Sequence, residues 1–243
     1  MAANERITVA SNTAAAKILL NSSARIIAMM IRTIGIIKLR SWREATSTSW
    51  KVALIPPTSG SIEILGINAI KNPLDVRKKI GVVLQQPSYE PNLSVEKSLE
   101  KYGMMWDVDK KIRKQRTDEL IDVFDLADIR KKKNEDLSIG QRRRVQVARE
   151  FMHDMDLLFL DEPTVGLDPS ARRKLLDYLK AKAESGLTIF YTTHVLTEAE
   201  YLCDEIAVIN KGKILAVDTP NQLKATFGQE KTITIHLLQK HDK

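Results

Sequence analysis

Cysteine, glycine and long apolar runs are scarce in this 243-residue sequence, and each shortage excludes a class of structure. The single cysteine, Cys203, excludes an internal disulfide and a metal site built from several thiolates, and we expect it to be a buried structural thiol. The most apolar stretch, residues 26–39, contains Arg32 and Lys38 and is shorter than the roughly 20 residues that cross a bilayer. The sequence therefore predicts no transmembrane helix.

The first fifty residues differ from the rest in glycine content and in charge. Before Gly60 the only glycine is Gly35. Residues 1–50 carry seven Lys or Arg against two acidic residues, which is +5 of the formal net charge of +7. The remaining residues hold 31 basic and 29 acidic side chains, a balance of +2. Because signs are mixed over this nearly neutral body, we expect no nucleic-acid partner.

After residue 60, apolar runs alternate regularly with helical patterns. This alternation predicts an α/β fold with a parallel sheet. We expect three regions: an unassigned basic segment at 1–52, the α/β core at 53–230 and a polar tail at 231–243. The helical, charged pattern after residue 94 predicts an inserted helical subdomain that extends to about residue 150. The predicted strands are 80–84, 157–160, 188–192 and a hairpin of 206–210 with 213–217.

Helix boundaries are also signalled by residue type. Asp168 followed by Pro169 predicts a helix start, and Gly186 predicts its end. Thr197 and Glu200 have the spacing of a capping box at the start of a later helix.

Two carboxylates, Asp161 and Glu162, follow the apolar run 157–160. A buried parallel strand delivers such groups to the sheet edge where open α/β proteins bind ligands. We expect Asp161 to hold Mg²⁺ directly or through water, because hard cations prefer carboxylate oxygen, and Glu162 to orient or deprotonate an attacking water. The alternative is an acidic strand end that only caps the next turn.

Other polar residues are placed to join this site. Ser138 and Gly140 at a predicted helix start offer a hydroxyl and backbone N–H groups to an anion, although Ser138 alone is as well explained as an ordinary N-cap. His194 leaves a strand on the same sheet edge as Glu162, and Gln85 follows the strand at 80–84 with an amide suited to Mg²⁺ or water. The adjacent arginines 142–144 are expected to be solvated or interface charges.

Five segments together resemble the ABC transporter ATPase family, in its order and spacing. They are Gln85, Leu137-Ser138-Ile139-Gly140-Gln141, the Walker B run ending in Asp161-Glu162, Gly166-Leu167-Asp168-Pro169, and Thr193-His194. The likeness spans residues 54–227 and is greatest to drug exporters of the daunorubicin-resistance type, with Ile139 in place of the usual glycine. It implies a phosphate-loop NTPase-like core, ATP and Mg²⁺ as cofactors, and ATP contacts from Ser138, Gly140, Gln141 and Asp168.

The phosphate loop of that family, G-x-x-x-x-G-K-[S/T], has no counterpart in this sequence. Its place is held by residues 41–51, which contain no glycine. The loop wraps backbone N–H groups around phosphates in a conformation that needs glycine, so Lys38 or Lys51 cannot replace it by charge alone. The segment is either foreign sequence, such as a shifted reading frame, or a genuine replacement in a degenerate paralogue. In the first case we expect the core to lack a central strand.

The resemblance implies a cytoplasmic subunit at the inner face of the membrane that works with an integral membrane permease. It also implies a head-to-tail dimer in which a second ABC ATPase protomer shares each ATP. Two functions stay open: an exporter ATP-binding subunit that is defective alone, or a non-catalytic subunit that lends its signature helix to another ATPase. A DNA-repair ATPase is disfavoured, since only 51 residues separate Gln85 from Leu137.

Overall fold

The computed structural model describes residues 7–9, 24–30, 37–39, 62–86, 88–210, 213–227 and 231–233. Its strands are β1 (Ile7–Val9), β2 (Ala24–Met30), β3 (Ile37–Leu39), β4 (Ile62–Ile64), β5 (Ile67–Asn68), β6 (Ile80–Val83), β7 (Leu157–Asp161), β8 (Thr188–Thr193), β9 (Glu205–Asn210), β10 (Lys213–Asp218) and β11 (Lys231–Ile233). Its helices are α1 (Pro73–Arg77), α2 (Val95–Met105), α3 (Lys110–Val123), α4 (Ile139–Glu150), α5 (Pro169–Glu184), α6 (Leu196–Leu202) and α7 (Pro220–Phe227). Among these helices none combines the length and apolarity that a bilayer span requires.

A six-stranded sheet in the order β10-β9-β2-β8-β7-β6 forms the centre of the fold. Strands β6, β7 and β8 are parallel, with Val83 opposite Leu160 and Asp161 opposite Thr192. The first four residues of β7 are all buried, as expected for a strand covered on both faces. Strands β9 and β10 form the predicted antiparallel hairpin. The predicted α/β class with a parallel sheet is confirmed.

The expectation that the sheet lacks a central strand is wrong in this structure. Strand β2 lies between β8 and β9 and is antiparallel to both, with Ala28 opposite Tyr191 on one side and Ile206 on the other. Its backbone therefore pairs on two edges, which leaves the sheet continuous at that position. Residues 41–51, where the family's phosphate loop is expected, lie outside the described residues.

Two antiparallel groupings lie beside the main sheet. Strands β3, β4 and β5 form a three-stranded sheet, and β1 pairs with β11. The core against the main sheet gathers apolar side chains from α2 to α6, among them Leu99, Leu120, Leu158 and Leu179. Cys203 belongs to this core, which confirms the buried thiol, and burial raises its pKa well above the usual value.

Helices α2 and α3 form within the predicted helical pattern, and they pack on each other before α4 begins. Ser94 caps α2 by accepting from the Lys97 N–H, and Asp109 caps α3 by accepting from the N–H groups of Lys111 and Ile112. These caps satisfy backbone donors that a helix start leaves unpaired. The order of elements thus inserts helices between strands β6 and β7.

Two of the three predicted helix boundaries are confirmed. Asp168 accepts from the Ala171 N–H as the N-cap of α5, and Gly186 follows the end of that helix with φ 111°. The predicted capping box of Thr197 and Glu200 is wrong. Helix α6 starts earlier, at Leu196, and the Val195 N–H is taken by the Thr193 hydroxyl, so Thr197 lies inside the helix.

Candidate functional site

Three side chains predicted from separate segments meet beyond the carboxyl ends of β6, β7 and β8. Gln85 Nε2 donates to Glu162 Oε2 at 3.2 Å, and His194 Nδ1 lies 3.4 Å from Glu162 Oε1. The Glu162 side chain is 14% exposed, whereas that of His194 is 60% exposed. The carboxylate is therefore held between an amide and an imidazole and still reaches solvent.

The backbone of Glu162 adopts a left-handed conformation, with φ 47°, which is uncommon for a residue with a side chain. Its N–H donates to the backbone oxygen and to Oγ1 of Thr192, both at 3.1 Å. Such strained residues persist where surrounding contacts fix them, and they concentrate at functional sites. The conformation turns the chain at the end of β7 and sets the direction of the carboxylate.

Asp161 ends β7 beside this cluster. Its Oδ1 accepts from the Thr192 hydroxyl at 2.7 Å, so one threonine fixes both Asp161 and the Glu162 N–H. Thr192 is buried, which keeps the two carboxylate-bearing residues in one arrangement. Sequence reasoning did not identify Thr192, although it faces Asp161 in the β7–β8 register.

The predicted ligands at the start of α4 are drawn together in a second cluster. Ser138 caps α4 by accepting from the Gln141 N–H at 3.2 Å, and its own N–H donates to Gln141 Oε1 at 2.9 Å. Ser138 is exposed and Gln141 half-buried, so the capped end of the helix stays open to a ligand. Asp168 is exposed and caps α5. The hydrogen bond from the Ala171 N–H lowers the pKa of the Asp168 carboxyl.

Gly140 connects this helix start to the loop that leads to Asp168. A Cβ built on Gly140 would lie 2.6 Å from the Gly166 carbonyl oxygen, so only glycine allows this approach. Gly166 itself has φ 81°, a conformation that glycine adopts without strain. The neighbouring Ile139 side chain is exposed, which explains why the replacement of the usual glycine is compatible with this packing.

The expectation that arginines 142–144 are solvated or interface charges is wrong for Arg143, which is buried inside this chain. Arg142 donates to the Tyr89 hydroxyl at 3.0 Å, and Arg144 donates to the backbone oxygens of Phe124 and Asp125. Arg143 is buried and donates to three backbone oxygens around the first cluster. A guanidinium presents five N–H donors in a planar fork, so it can satisfy several oxygens that a helix face brings near it.

Glu198 is a second charged residue that sequence reasoning left without a role. It is 2% exposed, and its Oε2 accepts from the hydroxyls of Thr164, Tyr191 and Thr193 at 3.0, 2.7 and 2.9 Å. Thr164 follows the Glu162 turn, and Thr193 precedes His194. The buried carboxylate therefore ties together the two loops that carry the candidate catalytic groups, and its spacing four residues after His194 was the available signal.

Asp161 and Gln85 offer oxygen ligands of the type that Mg²⁺ prefers. Among the described residues no group of three or more His, Cys, Asp or Glu side chains could hold a metal. Mg²⁺ keeps several waters and binds through one or two carboxylates together with substrate phosphates. One carboxylate, Asp161, and the amide oxygen of Gln85 fit that partial set of ligands, so a metal here would depend on a bound nucleotide.

The fold of this chain is similar to that of two solved ATP-binding chains. A solved chain titled "Structure of ATP binding subunit of ABC transporter" aligns with a TM-score of 0.69 at 21% identity, covering 85% of this chain and 94% of that one. A second, "Dimeric structure of a post-hydrolysis state of the ATP-binding cassette MJ0796 bound to ADP and Pi", gives 0.66 at 20% identity, covering 81% and 98%. These likenesses show the fold: a mixed α/β core with a parallel sheet, as in solved ABC ATP-binding chains.

The sequence comparisons name the family. Residues 47–165 match the model of the ABC transporter family. Linearmycin resistance ATP-binding protein LnrL of Bacillus subtilis (strain 168) is 33% identical over 192 residues, and daunorubicin resistance ATP-binding protein DrrA3 of Streptomyces coeruleorubidus is 35% identical over 178 residues. The chain therefore contains an ABC transporter ATP-binding domain, with homologues named as drug-resistance ATP-binding proteins.

These relatives are longer than the shared region. The match covers 79% of this chain and 62% of LnrL, and 73% of this chain and 56% of DrrA3. It covers 31% of the probable multidrug ABC transporter ATP-binding protein YbhF of Escherichia coli (strain K12), which is 34% identical. The chain thus spans less than two thirds of the length of these relatives.

Proposed function

We propose that this chain is the ATP-binding subunit of an ABC-type multidrug exporter, and that it binds ATP poorly alone because it lacks a phosphate loop. The observation that carries the proposal is the meeting of Gln85, Glu162 and His194 at one sheet edge. An amide, a carboxylate and an imidazole in contact are suited to orient a water and to accept its proton during hydrolysis.

The roles follow from the contacts. Glu162 orients or deprotonates the attacking water, and its partners Gln85 and His194 fix the direction of the carboxylate. His194, whose side chain is 60% exposed, would also reach toward a phosphate. Asp161 and the Gln85 amide oxygen would hold Mg²⁺, which when bound supplies charge neutralisation for the phosphate oxygens. Thr192 keeps Asp161 in place.

The start of α4 provides the contacts for a second protomer. Ser138 and Gly140 present a hydroxyl and backbone N–H groups at the positive end of a 12-residue helix, where an anion is favoured. Gln141 holds the Ser138 backbone through the capping box, and Asp168 ends the neighbouring loop. These residues would complete an ATP site whose phosphate loop belongs to a second ABC ATPase protomer.

Without a phosphate loop, one chain should bind ATP weakly by itself. Residues 41–51 contain no glycine, so they cannot supply the ring of backbone N–H groups that a triphosphate needs. We divide the chain functionally into residues 1–52, the ATPase core at 53–230 with its helical subdomain at about 94–150, and the tail at 231–243. Hydrolysis would then require a phosphate loop from outside this chain.

The cellular setting is inferred from the named relatives. LnrL and DrrA3 carry drug resistance in their names, and YbhF carries multidrug transport. We infer a subunit at the cytoplasmic face of the membrane that binds an integral membrane permease and pairs with a second ABC ATPase protomer. A nucleic-acid partner is not part of this proposal.

ATP turnover in a repaired chain tests the proposal. Residues 1–53 are replaced by a segment that carries the family's phosphate-loop motif, and hydrolysis of ATP with Mg²⁺ is compared with that of the natural chain. We expect turnover in the repaired protein and little in the natural one. Glu162→Gln in the repaired protein should lower turnover by roughly 100-fold or more, because it removes the base.

Two further variants of the repaired protein sharpen the result. Ser138→Ala should lower turnover, since each site uses the partner's signature helix, whereas Glu200→Gln on the exposed side of α6 should leave it unchanged. A folded repaired protein without turnover would refute the catalytic assignment. Robust turnover by the natural chain alone would refute the defect, and turnover gained only by a loop-bearing partner through Ser138 would indicate a non-catalytic partner subunit.

A further inference from the structure

We propose that Arg143 is a positioning residue that holds Gln85 and Glu162 in register and links them mechanically to the start of α4. The inference deepens the proposed function, on which its catalytic meaning depends. It concerns a residue that touches the backbone of both candidate catalytic groups and no reacting atom, so its role is to place those groups.

The contacts of Arg143 converge on the two loops of the site. Its Nη1 donates to the Leu84 backbone oxygen at 2.7 Å, and its Nη2 donates to the backbone oxygens of Gln85 at 3.0 Å and Glu162 at 3.2 Å. The side chains of Gln85 and Glu162 are themselves hydrogen-bonded. One guanidinium therefore joins by their backbones the same two residues that meet by their side chains.

A neighbour on the same helix face orients the guanidinium. Gln146 Oε1 accepts from Arg143 Nη1 at 2.9 Å, while Gln146 Nε2 donates to the backbone oxygens of Leu84 and Gln86 at 3.2 Å. Because Arg143 and Gln146 are three residues apart on α4, they project together from one side of the helix. The segment 84–86 is thus attached to α4 at several points, and its movement requires movement of that helix.

Charge and burial make this arrangement hard to replace. Arg143 is 3% exposed. Burial lowers its pKa, while the nearby charges of Asp161 and Glu162 act in the opposite direction. An ammonium group is a compact charge without the planar fork, so a lysine cannot reach three backbone oxygens at once. Loss of the guanidinium would remove this donor from the partly buried backbone oxygens of Gln85 and Glu162, which costs free energy.

The position of Arg143 along α4 connects the Glu162 turn to the start of this helix. It lies five residues after Ser138, just over one helical turn into a helix whose capped start we propose faces a partner's nucleotide. A displacement of that helix start is carried by Arg143 to the Glu162 turn, where φ is 47°. Occupancy of one composite site would therefore alter the placement of the catalytic carboxylate that serves the other site.

Nuclear magnetic resonance of the full chain tests the positioning role without requiring nucleotide or turnover. The probes are the Gln85 side-chain amide signals and the backbone amides of Glu162 and Val165, whose N–H groups donate within or to the Glu162 turn. For Arg143→Lys we expect these signals to shift, and hydrogen exchange at Glu162 and Val165 to accelerate roughly tenfold or more, as befits the loss of charge-assisted hydrogen bonds.

Arg144→Gln is the control, because the half-buried Arg144 also donates to backbone oxygens, but to those of Phe124 and Asp125. We expect it to lower the melting temperature without moving the Gln85 and Glu162 probes. Equal effects of the two variants on those probes, or no local change in Arg143→Lys, would overturn the positioning role. A failure of the proposed function would show separately, as absence of any change in the wild-type spectrum on adding Mg²⁺-ATP with a loop-bearing partner.

Discussion

At the residue scale, the site depends on a few polar atoms that each serve two segments. Thr192 contacts Asp161 through its hydroxyl and the Glu162 N–H through both of its oxygens. Arg143 and Glu198 act in a similar way, one on backbone oxygens and one on hydroxyl groups. Buried networks of this kind are rigid only when every member is satisfied, so single substitutions should have effects beyond their own contact.

Gly140 provides a test of backbone contact at the start of α4. In an exposed helix, Gly→Ala gains roughly 1 kcal/mol from helix propensity. Here the added methyl group would lie 2.6 Å from the Gly166 carbonyl oxygen, which is backbone and cannot rotate away. We expect Gly140→Ala to lower the free energy of unfolding by about 1–3 kcal/mol, the usual cost of overpacking, measured by urea denaturation.

Gly103→Ala in α2 is the control for this prediction. Its added methyl group would meet Cγ and Cδ of Arg113 and Cε of Met152 at 2.9 Å, and these side-chain atoms can shift more readily than backbone. We expect a clearly smaller loss of stability than for Gly140→Ala. Equal losses would contradict the interpretation that the Gly166 backbone is the obstacle.

Glu198 provides a second test, because three hydroxyl groups donate to one of its oxygens. Its other oxygen lies 3.5 Å from Arg172 Nε, so the carboxylate also balances a positive charge. Glu198→Gln keeps the shape but replaces one acceptor with a donor. We expect the free energy of unfolding to fall by about 1–3 kcal/mol in urea denaturation.

Glu200→Gln on the same helix is the comparison. Glu200 pairs with Lys224 at 2.9 Å near the surface, and both side chains are at least one third exposed. Exposed pairs contribute about 0–1 kcal/mol, so we expect little change. A loss at Glu200 as large as that at Glu198 would show that the buried hydroxyl network is not the source of the effect.

At the element scale, the start of α2 is joined to the segment after α3 by one acidic residue. Glu96 accepts from Arg130 and from Lys131 Nζ, the latter at 2.8 Å, and the Arg130 guanidinium also contacts Asp118. These bonds, led by that to Arg130, lower the pKa of Glu96 from 4.5 to about 2. The carboxylate thus stabilises the helical segment when it is ionised.

The depressed pKa predicts a pH dependence of stability. The contribution of Glu96 is present above pH 4.5 and is lost as the pH falls toward 2, because the unfolded chain takes up the proton first. Thermal melts of the wild type should therefore decline more steeply over that interval than melts of Glu96→Gln. Glu135→Gln, which alters a surface pair with Lys133, should keep the wild-type slope. Parallel slopes for wild type and Glu96→Gln would contradict the assignment.

The strands and caps show which parts of the fold were predictable. The apolar run at 157–160 and the Asp168-Pro169 helix start depend on local residue type, and both were predicted and confirmed. The capping box at Thr197 was wrong because α6 begins at Leu196 with Val195 as its N-cap, so Thr197 is the second residue of the helix. Strand β2 was not predicted, although it contains apolar residues 26–30, because local sequence does not show its long-range pairing with β8 and β9.

The candidate site was predictable to a similar extent. Gln85, Glu162 and His194 were expected at one sheet edge because each follows a strand, and the structure brings them into contact. Arg143 was missed because a run of three arginines is usually a solvated surface, and nothing local distinguishes the one that faces inward. Whether these residues bind and hydrolyse ATP stays a prediction.

At the scale of the whole molecule, we propose that a nucleotide site has two halves, of which this chain carries one. The half that we propose acts on water and magnesium lies at the carboxyl ends of β6, β7 and β8. The half that would bind the phosphates needs a glycine-rich loop with a Gly-Lys pair, and residues 41–51 contain Lys51 but no glycine. A chain with only the first half should contribute to an ATP site but should not retain ATP by itself.

Titration calorimetry of the full natural chain with Mg²⁺-ATP is the most direct test of this claim. We expect no saturable binding with a Kd below about 1 mM, which corresponds to about 4 kcal/mol of binding free energy. Saturable binding of Mg²⁺-ATP by this chain alone with a Kd in the micromolar range would contradict it.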